Sequence, residues 1–188
     1  MYILLLVILA LLFLTTLSTN WPVKLYHARF LKRLAEEFGT APISNGLLSQ
    51  VATEIKTIFR GYDLTIRFVD TALDSLRSAH PGLELRVNYP FGTVMEMYRP
   101  WRRKREWGDF KQVTIGNAAL DSQWFILSPL VEPARQLLEQ SILNPLLELN
   151  QVEQVLINQH ELIVRLRRYG SAQQVRDLVE RGLRFIDK

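Results

Sequence analysis

The sequence contains no cysteine and only three histidines. The absence of cysteine excludes disulfides, thiolate nucleophiles and cysteine-ligated metal sites within this chain. The histidines, His27, His80 and His160, lie far apart in sequence, and none has a second ligand at the spacing of a zinc site. We therefore expect no metal centre, and we expect His80 and His160 to be surface turn residues.

The sequence also lacks the common motifs of catalysis and nucleotide binding. It has no P-loop pattern, no GxGxxG and no GxSxG. Asp63, Asp70 and Asp74 lie close in sequence, but strand alternation or helix capping accounts for each of them. We therefore predict a protein that is not an enzyme and that uses no cofactor.

Charge is missing from the start of the chain, where Lys24 is the first charged residue. An apolar helix of about 20 residues crosses a bilayer core, and MYILLLVILALLFLTTLST has this length. A cleaved signal peptide is the alternative, but it requires a basic segment before the apolar run, and none is present. We predict a retained transmembrane anchor over residues 1–22.

Positive charge follows the predicted anchor, and this determines its predicted orientation. The cationic residues after it are Lys24, Arg29, Lys32 and Arg33. The positive-inside rule places the N-terminus outside and the rest of the chain in the cytoplasm. The sequence thus predicts a single-pass protein of the bacterial inner membrane, with Trp21 at the membrane interface and lipids as contacts of the anchor.

Residues 23–46 are predicted to form an amphipathic helix followed by a linker. The apolar positions recur at helical spacing, at Leu25, Ala28, Leu31, Leu34, Ala35 and Phe38, and the four cations lie largely off this stripe. Two interpretations stay open: the helix lies on the anionic inner leaflet, or it packs on the following domain. The linker is GTAPISNG, residues 39–46.

Residues 47–188 are predicted to form one cytoplasmic α+β domain. Its expected elements are a helix at 47–60 ended by Gly61, alternating strands in LTIRFVD and LELRVNY, and further strands in TVMEMYR, KQVTIG and SQWFILS. Short connections between strands favour an antiparallel sheet. The predicted fold class of the whole chain is therefore α+β, with an N-terminal transmembrane helix followed by an antiparallel-sheet domain packed by helices.

The C-terminal third of this domain has a clear predicted order. A leucine-rich helix is broken near Asn144 and Pro145, and QVEQVLI and ELIVRLR then form a hairpin. Ser171 and Gln174 have the spacing of a capping box and open the last helix. The residues expected to be buried on that helix are Val175, Leu178, Val179 and Ile186.

The stretch VTIGNAALDSQWFIL, followed by the leucine-rich helix and the hairpin, resembles a loose group of uncharacterised bacterial proteins. The matching pattern is a strand, Gly116, Asp121 and the aromatic pair Trp124 and Phe125, and it covers residues 60–188. The resemblance implies one or two N-terminal spans and a small cytoplasmic α+β domain. It implies no activity.

One stretch, YRPWRRKREWGDF, concentrates cations and tryptophans. Its predicted contact residues are Trp101, Arg102, Arg103, Lys104, Arg105 and Trp107, beside Arg99 and Tyr98. Three interpretations fit this stretch: a hairpin tip charged for solubility, a nucleic-acid contact, and a contact with anionic lipid or with a protein. Nucleic acid is not expected as a partner, because no DNA- or RNA-binding fold signature accompanies the stretch.

These observations lead to one preferred function and two alternatives. We expect a non-enzymatic, membrane-anchored accessory or scaffold subunit whose cytoplasmic domain braces a larger integral membrane protein complex. Its predicted contacts are Trp21, Lys24, Arg29, Lys32 and Arg33 together with the residues of the Trp/Arg-rich stretch. The alternatives are a peripheral lipid- or ligand-sensing domain and a membrane-tethered enzyme with a pocket that the fold assembles.

Overall fold

The computed structural model describes residues 2, 5–10, 21–44, 53–69, 82–100, 109–140, 142–167 and 169–184. Beyond a short N-terminal helical stretch at 5–10, its elements in chain order are α1 (Trp21–Glu37), β1 (Pro42–Ile43), β2 (Glu54–Phe59), β3 (Tyr62–Val69), β4 (Gly82–Asn88), β5 (Met95–Tyr98), β6 (Lys111–Val113), α2 (Ala118–Asp121), β7 (Phe125–Ser128), α3 (Val131–Glu139), α4 (Asn144–Leu147), β8 (Val152–Ile157), β9 (Glu161–Leu166) and α5 (Ala172–Gly182).

The described strands form one nine-stranded sheet in the order β1-β2-β3-β4-β9-β8-β5-β7-β6. Every pairing is antiparallel. The β8–β9 hairpin lies in the middle of the sheet, between β4 and β5, although it comes late in the chain. The predicted strands at LTIRFVD and LELRVNY and the predicted C-terminal hairpin correspond to β3, β4, β8 and β9.

The two faces of the sheet differ in composition. Alternate residues of β4, Leu83, Leu85 and Val87, belong to the hydrophobic core together with apolar residues of α1 and α5. Since neighbouring side chains of a strand point to opposite faces, Glu84 and Arg86 lie on the face away from these helices. This second face carries the polar cluster described below.

The finding on membrane spans corrects the predicted anchor. Among the described residues no helix is both long and apolar enough to span a bilayer. A span needs about 20 mostly apolar residues, whereas the 17-residue α1 carries the four predicted contact cations. On this finding the transmembrane helix at 1–22 is wrong, as are the fold class that includes it and the single-pass inner-membrane localisation. Residues 1, 3–4 and 11–20 lie outside the described ranges.

Helix α1 packs on the domain, which was one of the two interpretations of its amphipathic pattern. Leu31, Leu34 and Ala35 are fully buried in the core. His27 stacks on Phe68 of β3 with ring centroids 3.9 Å apart. The apolar stripe of this helix is therefore occupied by the sheet and by α5. The predicted division of the chain into a segment at 23–46 and a domain at 47–188 stays a prediction.

The predicted helix at 47–60 is wrong where the structure describes it, because residues 54–59 form strand β2. Arg60 and Gly61 both have positive φ, at 52° and 84°, and they join β2 to β3. Positive φ at both central residues is the backbone of a type I′ hairpin turn. Gly61 therefore turns a hairpin instead of ending a helix, and the β-branched side chains of Ile55, Thr57 and Ile58 suit a strand.

The predicted C-terminal helix is confirmed as α5. Ser171 caps it, and Gln174 completes the capping box by accepting a hydrogen bond from the backbone N–H of Ser171. Val175, Leu178 and Val179 are buried as expected. Ile186 lies outside the described residues.

Candidate interaction surface

A row of charged side chains crosses the face of the sheet that lies away from the helices. Register places Arg67 of β3 directly opposite Glu84 of β4, and Glu84 opposite Arg165 of β9. Arg86, two residues further along β4, lies on the same face. We call this surface, with Arg67, Arg86 and Arg165 around Glu84, the arginine face. It follows from polar residues at alternate positions of three neighbouring strands.

Glu84 is the centre of this cluster. Its Oε1 accepts from Arg67 Nε at 3.0 Å and lies 2.8 Å from Arg67 Nη2, and Arg86 Nη2 is 3.0 Å away. Its Oε2 accepts from Arg165 Nε at 3.1 Å. Burial alone would raise the pKa of Glu84, but hydrogen bonds from Arg165 and Arg67, the charge of Arg67 and a bond from Arg86 hold it below its usual value. The carboxylate is therefore ionised and bound on both oxygens.

The cluster continues toward β5 through amide and carboxylate side chains. Arg165 Nη1 donates to Gln154 Oε1 at 3.1 Å, and Gln154 Nε2 donates to Glu96 Oε1 at 2.6 Å. Tyr98 lies beside them with a buried hydroxyl that has no hydrogen-bond partner. Burial, and then the charge of Glu96, raise the pKa of Tyr98. This end of the face is buried, while the Arg67 end is partly exposed.

Arg99, which the sequence groups with the cationic stretch, has a different role. It is only 3% exposed. Its guanidinium donates to the carbonyls of Val152 and Leu149, at 3.2 and 3.1 Å, and to Gln123 Oε1 at 2.8 Å. Burial lowers the pKa of Arg99. This arginine thus joins β5 to the chain around α4 inside the domain.

The Gly116–Asp121–aromatic pattern builds a loop. Asp121 Oδ1 and Oδ2 accept from the backbone N–H groups of Ile115 and Gly116, at 2.7 and 3.1 Å. Gly116 has φ +80°, a conformation that favours glycine. Trp124 is buried, and its indole N–H donates to the Leu147 carbonyl at 3.0 Å. The pattern is therefore explained by local structure, and the group resemblance that it suggested stays a prediction.

The predicted contact residues fall into two sets. On α1 the cations are exposed, at Lys24, Arg29, Lys32 and Arg33. Trp21 begins this helix, but the contact predicted for it lies outside what the structure describes. Also outside the described residues are Trp101, Arg102, Arg103, Lys104, Arg105 and Trp107. The contacts predicted for both sets stay predictions.

The structure also locates the histidines and a surface depression. His27 is stacked on Phe68, His160 is exposed in the β8–β9 turn, and His80 lies outside the described residues. No group of three His, Asp or Glu residues that could hold a metal ion occurs in the described part of the chain.

A depression of about 350 Å³ is lined by charged residues, at Arg60, Asp177, Glu180, Arg181 and Arg184.

Sequence reasoning did not single out Glu84 and its arginines. Alternation predicts that Arg67, Glu84 and Arg86 point away from the core, but it does not say which residues of neighbouring strands are opposite each other. Register decides this, and β9 reaches β4 from about eighty positions later in the chain. A glutamate between arginines in consecutive alternating strands is the signal that could have suggested the cluster.

Comparison with known proteins gives one likeness of fold. No family model matches the chain, and no curated protein matches it. The crystal structure of the mycobacterial trehalose monomycolate transport factor A, TtfA, superimposes with a TM-score of 0.60 at 13% identity, over 85% of this chain and 90% of that one. At this identity the likeness concerns the fold alone.

Proposed function

We propose that this chain is a non-enzymatic accessory protein that acts by contact and serves a larger transport assembly. The observation that carries the proposal is the arginine face, whose three arginines are partly exposed on the side of the sheet opposite the core formed with α1 and α5. The fold likeness to TtfA, whose name describes a transport factor, supports the transport context.

The composition of the arginine face suits protein contact. Arg67 keeps 41% of its side chain exposed, and Arg86 and Arg165 keep 33% each. Beside them on the same face lie Ile163 and Leu156, both half-buried and directly opposite each other. Arginine is enriched at protein interfaces, where it combines with apolar side chains.

The groups with shifted pKa values support a non-catalytic role. Shifted groups often mark catalytic sites, but structural networks shift them too. The pKa of Tyr169 is raised by burial and by Tyr26, inside an aromatic cluster with Phe30 and Phe68. Arg99 is bound by carbonyls, and Glu84 is bound by arginines. Burial is the main cause of the shifts of Arg99 and Tyr169, and the contacts with arginines lower the pKa of Glu84.

Affinity purification tests the proposal. The tagged full chain is recovered from its native host after mild cross-linking, and co-purifying proteins are identified by quantitative mass spectrometry against an untagged strain. We expect components of a transport assembly to be enriched, and deletion of the gene to reduce transport of that assembly's cargo. Recovery of the chain free of any transport protein, with transport unchanged in the deletion strain, would contradict the proposal.

A further inference from the structure

We infer that the arginine face docks a carboxylate-bearing segment of a partner protein, and that Arg67, Arg86 and Arg165 bind its carboxylates. The inference deepens the proposed contact function, on which it rests, by naming the chemistry of the partner.

The accessible part of the cluster is cationic. Glu84 is 1% exposed, whereas its three arginines are one-third to two-fifths exposed. The carboxylate therefore lies beneath the guanidinium groups, and an approaching molecule meets the cations first. The four groups together carry a net charge of +2, from three cations and one anion. Two further carboxylates flank the cluster: Glu54, directly opposite Arg67 in register, is 16% exposed and pairs with Lys56 at 3.1 Å, and Glu161 is 30% exposed and 4.0 Å from Arg86 Nη1.

The arginines keep donors that Glu84 does not use. Arg67 binds Glu84 through Nε and Nη2, and Arg165 uses Nε for Glu84 and Nη1 for Gln154. The described contacts do not use Arg67 Nη1 or Arg165 Nη2, so these two nitrogens can donate to a ligand. Each of these nitrogens can donate a charge-assisted hydrogen bond to a carboxylate oxygen.

The spacing of the cations favours an extended protein segment. Arg67 and Arg165 lie in one row on either side of Glu84, and two strand spacings separate their backbones by about 9–10 Å. Carboxylates at alternate positions of an extended chain are about 7 Å apart, so side chains of this length can reach both arginines. In the neighbouring row Ile163 follows Arg86 directly, and this aliphatic side chain suits a protein more than a lipid headgroup.

A peptide-binding measurement tests the inference. The purified full chain is titrated into a fluorescent peptide of alternating glutamate and serine, and into the same peptide with glutamine in place of glutamate, with anisotropy as the readout. We expect the acidic peptide alone to bind. Arg67→Gln and Arg165→Gln should each raise its Kd about tenfold, as loss of one charged hydrogen bond does. Lys111→Gln is the matched control, because it removes an exposed cation on the distant edge strand β6.

A second variant gives the opposite change. Glu84→Gln removes the buried negative charge and releases arginine donors, so the acidic peptide should bind several-fold more tightly. A purely structural cluster would show weaker binding or none on this substitution. Circular dichroism at the assay temperature verifies that each variant is folded. If Glu84→Gln does not fold, the comparison of Arg67→Gln with Lys111→Gln decides alone.

Three outcomes overturn the inference. The first is no binding of the acidic peptide, and the second is equal binding by the arginine variants and Lys111→Gln. The third is arginine-dependent binding of phosphatidylglycerol vesicles without peptide binding, which would assign the face to a membrane. If the peptide result fails while a transport assembly still co-purifies, the arginine face is wrongly assigned and the proposed function stands. If the peptide binds and no assembly co-purifies, only the transport role fails.

Discussion

Arg99 and Trp124 share one acceptor inside the domain. The Arg99 guanidinium lies 4.3 Å over the Trp124 ring, and the Leu147 carbonyl is 3.0 Å from Trp124 Nε1 and 3.5 Å from Arg99 Nη2. A buried cation, an aromatic ring and the C-terminal turn of α4 are thus held together by contacts from β5 and from the segment before β7.

This arrangement predicts that Arg99→Lys destabilises the domain, although it keeps the charge. Lysine lacks the planar fork that reaches several carbonyls and the face that stacks on tryptophan. Buried acceptors left unpaired should lower the free energy of unfolding by about 2 kcal/mol or more. Urea unfolding measures this, with Arg135→Lys on the exposed surface of α3 as the control. A midpoint equal to that of the control would contradict the assigned role of Arg99.

Glu84 predicts a defined dependence of stability on pH. Its folded pKa lies below the ordinary value of 4.5. Its contribution to stability is therefore complete above pH 4.5 and is lost as pH falls through the lower folded pKa. Glu84→Gln should be less stable than the wild type at neutral pH, by about 3–5 kcal/mol for a broken buried ion pair. The difference should shrink in acid.

Chemical unfolding across pH 7 to 3 measures this difference for wild type, Glu84→Gln and Glu132→Gln. Glu132 is 70% exposed and pairs only with Arg135 among the described contacts, so its variant should follow the wild type throughout. A stability difference for Glu84→Gln that stays constant with pH would show that the carboxylate is not ionised in the fold.

Leu178→Ala should lower the free energy of unfolding by about 2–5 kcal/mol. Leu178 is 4% exposed on α5 and belongs to the core, so truncation leaves a cavity there. Thermal unfolding of the full chain measures the change. Gln173→Ala, on the exposed side of the same helix, should unfold at the wild-type temperature. An unchanged midpoint for Leu178→Ala would remove this residue from the core.

The Trp/Arg-rich stretch predicts two separable effects on partner binding. Replacing Arg102, Arg103, Lys104 and Arg105 by glutamine should reduce co-purification mainly at low salt, because exposed charges are screened over about 8 Å at physiological ionic strength. Trp101→Ala or Trp107→Ala should reduce it at any salt, because burial of an aromatic ring does not depend on ions. If all these variants associate with the partner as the wild type does, the contact lies on other surfaces of the protein.

The predictability of this fold varied with the clarity of each pattern. Strands β3 and β4 alternate without interruption, and the capping box of α5 is a local signal, so both were predicted correctly. In β2 the apolar residues Ile55, Ile58 and Phe59 also fit a helical period. Only the hairpin turn at Arg60 and Gly61 shows that this segment is a strand. The apolar run at the N-terminus predicts a membrane span by its length and lack of charge, but no helix among the described residues is long and apolar enough to span a bilayer.

The candidate surface was harder to predict than the strands. Its residues are distant in sequence and become neighbours only through register, as Arg165 and Glu84 do across the β4–β9 pair. The exposed cations of α1 could be predicted from a single helix, since their position depends on local periodicity alone. Clusters that depend on pairing between distant strands can be predicted only when the order and register of the strands are known.

The central place of the β8–β9 hairpin has a consequence for how the chain folds. Strands β2 to β4 can pair as a meander as soon as they leave the ribosome, but β5 and β7 have no contact with them in the sheet. The two halves join only when residues 152–166 arrive, in the last fifth of the chain. During synthesis, β4 and β5 therefore each present an unpaired edge, and folding should be slow and dependent on long-range contacts.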